Sequence, residues 1–287
     1  LKRRDLTINS IAFDEETQKI IDPYNGQEDI EKKVFRHTSE AFTEDPLRVI
    51  RLARFRAKYG YKWKIAPETK VLIYSMRDEL KSLQPQRVYK EIEKALDYKQ
   101  TWIFFETLFE LGVLDVVFPS IYALTTLKEG SVYHLEASTF EHTMMILKEL
   151  QNESQLIKLT TIYHDIAKPY TYRKFGNSSG HDSLEYVEPL IDIEIPTKLK
   201  KKMLFLIKNH IKIYTLHEMK PSKIASFFET FNKDIKLLED LIIFANGDNQ
   251  GRICFKEKID LDKDLYLKLF QEIVNYSPKH WIESHEE

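Results

Sequence analysis

Helical periodicity extends over almost the whole chain from residue 28 onward, and this pattern restricts the chain to a mainly helical fold. Apolar residues recur there at intervals of three and four positions, as they do along the buried face of an amphipathic helix. Helices are predicted over residues 28–33, 46–59, 67–80, 86–97, 102–111, 139–151, 154–167, 183–192, 197–209, 221–231, 233–246 and 261–275. Residues 6–22 alternate instead with period two around a polar turn at 15–18, which predicts a β-hairpin, and no later strand is predicted. The fold class is therefore mainly α, or α+β overall.

Residues 43–59, TEDPLRVIRLARFRAKY, combine a helical pattern with a concentration of positive charge. Pro46 suits the first turn of a helix, and Thr43 or Asp45 can cap its free amides. Four arginines follow within nine residues: Arg48, Arg51, Arg54 and Arg56. A guanidinium matches phosphates and base edges, and an Asp–Arg pair offers an acceptor beside a donor, so this helix is typical of a nucleotide or RNA site. A solvated face, with Asp45 acting only as a cap, remains the alternative.

Composition and charge narrow the class of protein. The 287 residues are 43% hydrophobic and 31% charged, enough for two domains or one elongated body. The net charge is −2, but residues 1–100 carry +4, so only the first third offers a basic surface to an RNA backbone. Cys254 is the single cysteine and no apolar run reaches about 20 residues, so we expect a cytoplasmic protein without a membrane span. Because the chain begins at Leu1 without a methionine, we expect it to be the downstream part of a longer protein.

Histidines and aspartates in the second part of the chain lie where metal ligands are expected. An ordered H…HD…D pattern falls on the predicted helices, and two more histidines follow a glycine-containing loop and a helix; the set is His142, His164, Asp165, Asp248, His181 and His210. Imidazole and carboxylate together suit Mn, Fe, Co, Ni or Zn, and carboxylate also serves Mg. Lys168, three residues after Asp165, is placed to meet the charge of a phosphate. The alternative for each single histidine is a hydrogen-bonded core residue.

Four stretches of the first third resemble bacterial CCA-adding tRNA nucleotidyltransferases and their poly(A) polymerase relatives. They are RRDLTINSIAFD at 3–14, DPYNG at 22–26, EDPLRVIRLARF at 44–55 and, more weakly, QRVYKEIEKAL at 86–96. The second part is similar to the HD superfamily of phosphohydrolases. The two together resemble the multifunctional class II CCA-adding enzymes that carry a C-terminal HD domain.

The resemblance implies a domain plan and residue roles. Residues 1–27 would end a nucleotidyltransferase head, 28–130 would form a helical neck and body, and 131–287 an all-α HD domain. Arg4 and Asp5 would order an element beside the nucleotide. The remaining implied nucleotide contacts are Asp45 and Arg48 for the base of CTP or ATP and Arg51 and Arg54 for the triphosphate.

The resemblance also implies partners and cofactors. The expected partners are the 3' end of tRNA, CTP and ATP, with Mg2+ for nucleotidyl transfer. In the HD part, a divalent transition metal such as Ni2+ or Mn2+ would support phosphatase, 2'-nucleotidase and 2',3'-cyclic phosphodiesterase activity, with His164, Asp165 and Lys168 in the catalytic centre.

Two departures from the family pattern bear on activity. The family holds its transfer metals on two aspartates near a GGxVRD element, and the 287 residues contain no such element. Since two-metal transfer needs those carboxylates, we expect this chain alone to hydrolyse phosphate esters without adding nucleotides. The later family motif begins with Glu, whereas this chain has Gln86 before Arg87. A poly(A) polymerase relative and a non-catalytic RNA-binding module with a vestigial HD site remain the alternatives.

Overall fold

The computed structural model describes residues 1–128, 135–254, 257–258 and 260–275. The first part contains helices α1 (Gly26–Lys32), α2 (Leu47–Tyr59), α3 (Pro67–Ser75), α4 (Arg77–Leu80), α5 (Pro85–Leu96), α6 (Trp102–Glu110), α7 (Leu114–Val117) and α8 (Pro119–Ala123). The second part contains α9 (Thr139–Glu149), α10 (Gln155–Tyr163), α11 (Lys168–Phe175), α12 (Leu184–Val187), α13 (Thr197–Asn209), α14 (Pro221–Glu229), α15 (Ile235–Gln250) and α16 (Lys263–Asn275). The mainly helical fold class is thus confirmed. The expected domain boundary at 130 lies outside the described residues.

The strands are short and only partly as predicted. Strand β1 (Ala12–Asp14) pairs antiparallel with β2 (Lys19–Ile21), which confirms the hairpin. The hairpin is shorter than the sequence indicated, because Thr7–Asn9 forms a 3-10 turn. A second pair, β3 (Val34–Phe35) and β4 (Lys64–Ile65), is parallel, so the prediction of no later strand is wrong. A strand of two residues is too short for alternation to reveal.

Helix α2 lies at the centre of the first part of the structure. It packs against α5 and α6, and Ile50, Leu52 and Ala53 are completely buried on its inner face. The helix begins after Pro46, where a missing N–H costs nothing, and ends at Gly60, whose φ of 83° favours glycine. This packing fixes the direction in which the four arginines leave the helix.

Helix α10 has the corresponding position in the second part. It packs against α9, α13 and α15, and it also contacts α5 of the first part. Two glycines of the α15 region allow close approach to α9: a Cβ on Gly247 would lie 2.6 Å from the side chain of Leu150, and one on Gly251 would lie 2.6 Å from that of Ile146. The close contact brings the end of α15 beside α9, where the histidines lie.

Several helix boundaries differ from the sequence prediction. The helix predicted over 154–167 ends at Tyr163, and α11 begins at Lys168 with Pro169 in its first turn. The helix predicted over 67–80 is divided at Met76, and α7, α8 and α11 were not predicted. Short helices give little periodicity, and their boundaries here depend on turns. Among the described residues, no helix is long and apolar enough to cross a membrane.

Candidate metal centre and nucleotide-facing helix

The predicted metal ligands come from five separate places in the fold. His142 lies on α9, His164 and Asp165 follow α10 directly, and Asp248 lies near the end of α15. His210 follows α13, and His181 follows the loop of residues 176–180. All six side chains are buried. The packing of α10 between α9, α13 and α15 therefore brings together residues that are up to 106 positions apart in sequence.

The six ligand candidates form two groups of three. One group is His142, His164 and Asp248, and the other is Asp165, His181 and His210; within each, the donor atoms lie within 4.8 Å of one another. Within the first group, His142 Nε2 lies 3.0 Å from Asp248 Oδ1, and within the second, His181 Nε2 lies 3.2 Å from Asp165 Oδ1. His164 Nε2 is 3.1 Å from Asp165 Oδ2 and 3.9 Å from Asp248 Oδ1, so it lies between the two groups.

Three of the imidazoles are oriented by the backbone of their own preceding turn. Nδ1 donates to the carbonyl oxygen three residues earlier in His164 (2.8 Å), His181 (2.7 Å) and His210 (2.5 Å). A ring that donates from Nδ1 carries its lone pair on Nε2, which is the atom directed into the cluster. His142 is held differently, since its Nδ1 lies 3.4 Å from Gly251 O.

The donor set fits a divalent cation. His164 Nε2 is buried and has no hydrogen-bond partner among the described residues; its nearest carboxylate oxygen, Asp165 Oδ2, is buried as well and lies 2.9 Å from Lys168 Nζ. Buried polar atoms without hydrogen bonds are costly and rare, and a cation would satisfy them. Two carboxylates and four imidazoles suit a borderline ion such as Mn2+ or Ni2+. Neither group contains a cysteine.

The pKa shifts of Asp165, Asp248 and His210 favour their metal-binding forms, whereas that of His164 favours the protonated ring. Burial works against the charged carboxylates, but His164 and Lys168 still hold the pKa of Asp165 well below its usual range, and Arg252 and His142 do the same for Asp248. Burial and the neighbouring His181 and His164 lower the pKa of His210 to about 3. Although burial opposes it, the nearby carboxylates raise the pKa of His164. Ionised carboxylates and a neutral His210 are the metal-binding forms.

Two cations border the cluster on different carboxylates. Lys168 Nζ lies 2.9 Å from Asp165 Oδ2, as its predicted proximity required, although it begins α11 instead of continuing α10. Arg252 Nη2 lies 2.5 Å from Asp248 Oδ2. The sequence analysis missed Arg252. The available signal was a basic residue four positions after Asp248, the spacing that brings two side chains together on a helical turn.

The predicted nucleotide residues surround the first turn of α2. Asp5 is buried, and its Oδ2 accepts from Arg51 Nε at 2.8 Å, which ties the chain start to α2. Asp45 caps α2 by accepting from Leu47 N at 3.1 Å, and it also accepts from Arg87 Nη2 at 2.9 Å. Asp45 and Arg51 are half-buried at this end of the helix.

Two other members of the predicted set lie on either side of this group. Arg48, which is half-buried, donates to the carbonyl oxygens of Ala41 and Arg3. Arg4 is exposed next to Arg3. Of the predicted nucleotide residues, Arg4, Asp45, Arg48 and Arg51 are therefore exposed or half-buried at this end of α2.

Arg54 occupies a different environment from the other predicted nucleotide contacts. It is 8% exposed, and its guanidinium donates to Glu91 Oε2 at 2.5 Å and Tyr98 Oη at 3.1 Å. Arg56 is likewise buried, against Glu110. The arginines therefore pair with groups from other segments, and the alternative of a wet face with partners four positions away does not describe them.

The first part of the fold, a hairpin end followed by helices α1 to α8, matches two sequence profiles of the poly(A) polymerase class. The sequence profile described as "Poly A polymerase head domain" matches residues 1–36, and that described as "Probable RNA and SrmB- binding site of polymerase A" matches residues 63–124. The CCA-adding enzyme of Thermotoga maritima, solved in complex with tRNA, superposes with a TM-score of 0.58 at 19% identity over 98% of this chain and 63% of its own. The Bacillus stearothermophilus CCA-adding enzyme, in complex with CTP, superposes with a TM-score of 0.56 at 17% identity, over 98% of this chain and 63% of its own.

Sequence relatives identify the family more narrowly. The multifunctional CCA protein of Mannheimia succiniciproducens is 33% identical over 99% of this chain and 71% of its own length. That of Acinetobacter baumannii strain SDF is 40% identical over 90% of this chain and 65% of its own. The chain belongs to the multifunctional CCA protein family, and it spans about two thirds of the length of these relatives.

Proposed function

We propose that this chain belongs to an enzyme that adds CTP and ATP residues to the 3' end of tRNA, and that its second part is a metal-dependent phosphohydrolase. In this proposal residues 1–27 end the nucleotidyltransferase head, 28–130 select the nucleotide and bind tRNA, and 131–287 form an HD domain. The observation that carries the hydrolase is the pair of buried ligand groups on α9, α10, α13 and α15, whose donor atoms lie within 4.8 Å in each group.

The two groups lead us to propose two neighbouring divalent ions. His142, His164 and Asp248 would hold one, and Asp165, His181 and His210 the other. Such ions would neutralise a bound phosphate and lower the pKa of a water molecule toward neutrality. His164 and Asp165 are adjacent in sequence but belong to different groups, so the backbone that follows α10 directly links the two groups.

Other side chains of the chain would bind the phosphate and exclude water. Lys168 adds positive charge beside Asp165, where it would balance a phosphate oxygen. Burial of all six ligands excludes bulk water and strengthens these charge interactions. The proposed substrates are phosphate monoesters, 2'-phosphates and 2',3'-cyclic phosphates, such as those that occur at damaged RNA ends.

The nucleotide role rests on the end of α2. Asp45 and Arg48 present an acceptor and a donor at a half-buried surface, the combination that pairs with the edge of cytosine or adenine. Arg51 lies at the same end of the helix and would meet the triphosphate with Mg2+, and Arg4 with Asp5 would order an element beside the nucleotide. Arg54 is also proposed to contact the triphosphate. Its guanidinium pairs with Glu91, so a bound nucleotide would have to replace that contact.

The hydrolase proposal is tested with the 287-residue polypeptide loaded with Mn2+ or Ni2+. We expect bound metal by elemental analysis, and hydrolysis of p-nitrophenyl phosphate and 2',3'-cyclic AMP. His164→Ala and Asp165→Ala should abolish both, because each removes a ligand. His217→Ala, on an exposed side chain, is the matched control and should change neither. A wild-type protein that binds no metal under any loading would favour the vestigial site of an RNA-binding module.

The nucleotide proposal is tested by equilibrium binding of CTP and ATP. Asp45→Ala and Arg48→Ala should each weaken binding by about tenfold, the effect of one charge-assisted hydrogen bond. Lys81→Ala, at an exposed side chain that pairs with Asp78, is the control. If Asp45→Ala and Arg48→Ala bind CTP and ATP as tightly as the Lys81→Ala control, the assignment of Asp45 and Arg48 to the nucleotide base is refuted.

The transfer activity has its own assay. We expect residues 1–287 with tRNA, CTP, ATP and Mg2+ to incorporate no nucleotide, because they contain no GGxVRD element with its metal-binding aspartates. Robust incorporation would refute this expectation. For a protein that contains this chain together with such an element, addition of CCA supports the proposal, whereas a long run of A residues would establish a poly(A) polymerase.

A further inference from the structure

Arg252 is a cation at the metal centre for which neither the ligand set nor the nucleotide site accounts. It follows α15 by two residues, and its Nη2 contacts Asp248 Oδ2. The other oxygen of that carboxylate, Oδ1, faces His142 Nε2 at 3.0 Å. Asp248 therefore directs one oxygen at the ligand group and the other at the guanidinium. A metal ion on the first oxygen leaves the pairing of the second intact.

The backbone around Arg252 is held on both sides. A Cβ on Gly251 would lie 2.6 Å from the side chain of Ile146, so the backbone there lies directly against α9. On the other side, Ile253 N donates to Glu136 Oε1 at 2.5 Å, and Ile253 O accepts from Leu135 N at 2.9 Å. These contacts fix the position from which the Arg252 side chain extends.

The guanidinium has unused donor capacity. Its side chain is 25% exposed, and its Nε is buried without a hydrogen-bond partner among the described residues. A guanidinium has five N–H donors in a planar fork, and the contact with Asp248 uses one edge. The ring of Tyr214 lies 6.0 Å from the Arg252 Cζ atom and supports its plane. A rigidly held, partly exposed guanidinium beside a metal centre is suited to an oxyanion.

We propose that Arg252 is a phosphate-binding residue of this site, which holds Asp248 with one edge and a phosphate oxygen of the substrate with the other. The inference rests on the proposed hydrolase and deepens it. Arg252 and Lys168 contact the carboxylate of different ligand groups, so a phosphate that spans both groups has a cation on each side. The substrate class is a terminal or cyclic phosphate, whose non-bridging oxygens accept from a guanidinium.

The test compares Arg252→Met with a matched variant of the same helix. Lys236→Met also removes a cation of the α15 region that is paired with a buried aspartate, because Lys236 Nζ lies 3.1 Å from Asp240 Oδ1. Each protein is loaded with Mn2+ and freed of excess metal. Metal content, the thermal midpoint and the affinity for inorganic phosphate by calorimetry are then measured.

We expect Arg252→Met to keep its metal and to bind phosphate about 10- to 100-fold more weakly, as the loss of a charge-assisted contact implies. Arg252→Lys, which keeps the charge without the fork, should lie between this variant and wild type, and Lys236→Met should match wild type. With p-nitrophenyl phosphate, the loss should appear in KM as well as kcat.

Two results would overturn the inference while leaving the hydrolase intact. Phosphate affinity of Arg252→Met within twofold of wild type would show that the guanidinium does not touch phosphate. Loss of metal in proportion to phosphate binding would show that Arg252 only orients Asp248. A wild-type protein that binds neither metal nor phosphate would overturn the proposed function itself, and the inference with it.

Discussion

The buried pair of Arg54 and Glu91 gives a stability prediction that also bears on nucleotide binding. Glu91 is 4% exposed and Arg54 is 8% exposed, and they join α5 to α2 through the contact of Nε with Oε2 at 2.5 Å. Glu91→Leu leaves the guanidinium buried with the hydroxyl of Tyr98 as its hydrogen-bond partner among the described residues. Removal of one partner from a buried ion pair costs about 3–5 kcal/mol, because the remaining charge is no longer compensated. We expect a loss of this size in the free energy of unfolding.

Urea denaturation of wild type and variants measures this loss. The double variant Arg54→Met with Glu91→Leu removes both charges and should recover most of the stability, since an apolar pair of similar volume is often close to neutral. Asp78→Ala, which breaks the exposed pair with Lys81, is the control and should cost less than about 1 kcal/mol. A cost for Glu91→Leu no larger than that of the control would refute the reasoning. So would a double variant whose loss equals the sum of the two single losses.

The same double variant separates two roles of Arg54. If Arg54 contacts the triphosphate as the family resemblance implies, the double variant should bind CTP more weakly even though its stability has recovered. Unchanged CTP affinity in a stable double variant would assign Arg54 to the joining of α2 and α5 alone.

Three further predictions concern charge, capping and packing. Burial raises the pKa of the Asp192 carboxyl to about 6, so the fold favours its protonated form. Relative to Asp192→Asn, wild type should gain up to about 3 kcal/mol of unfolding free energy as the pH falls from 7.5 to 4. Identical pH profiles of the two proteins would contradict this. Lys158 is 2% exposed and donates to two carbonyl oxygens at the end of α5. Lys158→Met should therefore lower the free energy of unfolding in urea by about 2–4 kcal/mol. Lys148→Met, at a half-exposed side chain, is the control and should not lower it. Gly247→Ala should lower the thermal midpoint and reduce bound Mn2+, because its Cβ would lie 2.6 Å from the side chain of Leu150 and separate α15 from α9. Full metal content in this variant would show that metal binding does not depend on the close approach of the two helices.

Residues of one helix or turn could be read from the sequence because their geometry is local. The pattern of apolar residues predicted α2, α5, α13 and most other long helices close to their observed bounds. The HD pair after α10 could also be predicted, and so could the approach of Lys168 to Asp165, since these residues share one or two turns. Local signals fail where elements are very short, as for β3 and β4.

Tertiary packing alone decided which residues meet. His142 and Asp248 are 106 positions apart, and their contact exists because glycines let α15 approach α9 closely. The division of six ligands into two groups, and the place of Arg252 beside one of them, follow from that packing.

The arginines of α2 show the same division between sequence and structure. The sequence fixes their spacing along the helix, which a period of 3.6 residues sets locally. It does not state that Arg54 is turned inward to Glu91 while Arg48 and Arg51 remain half-buried at the end of the helix. Helical periodicity determines the face of a side chain, but the partner on that face is supplied by another segment, and only the packed fold brings the two together.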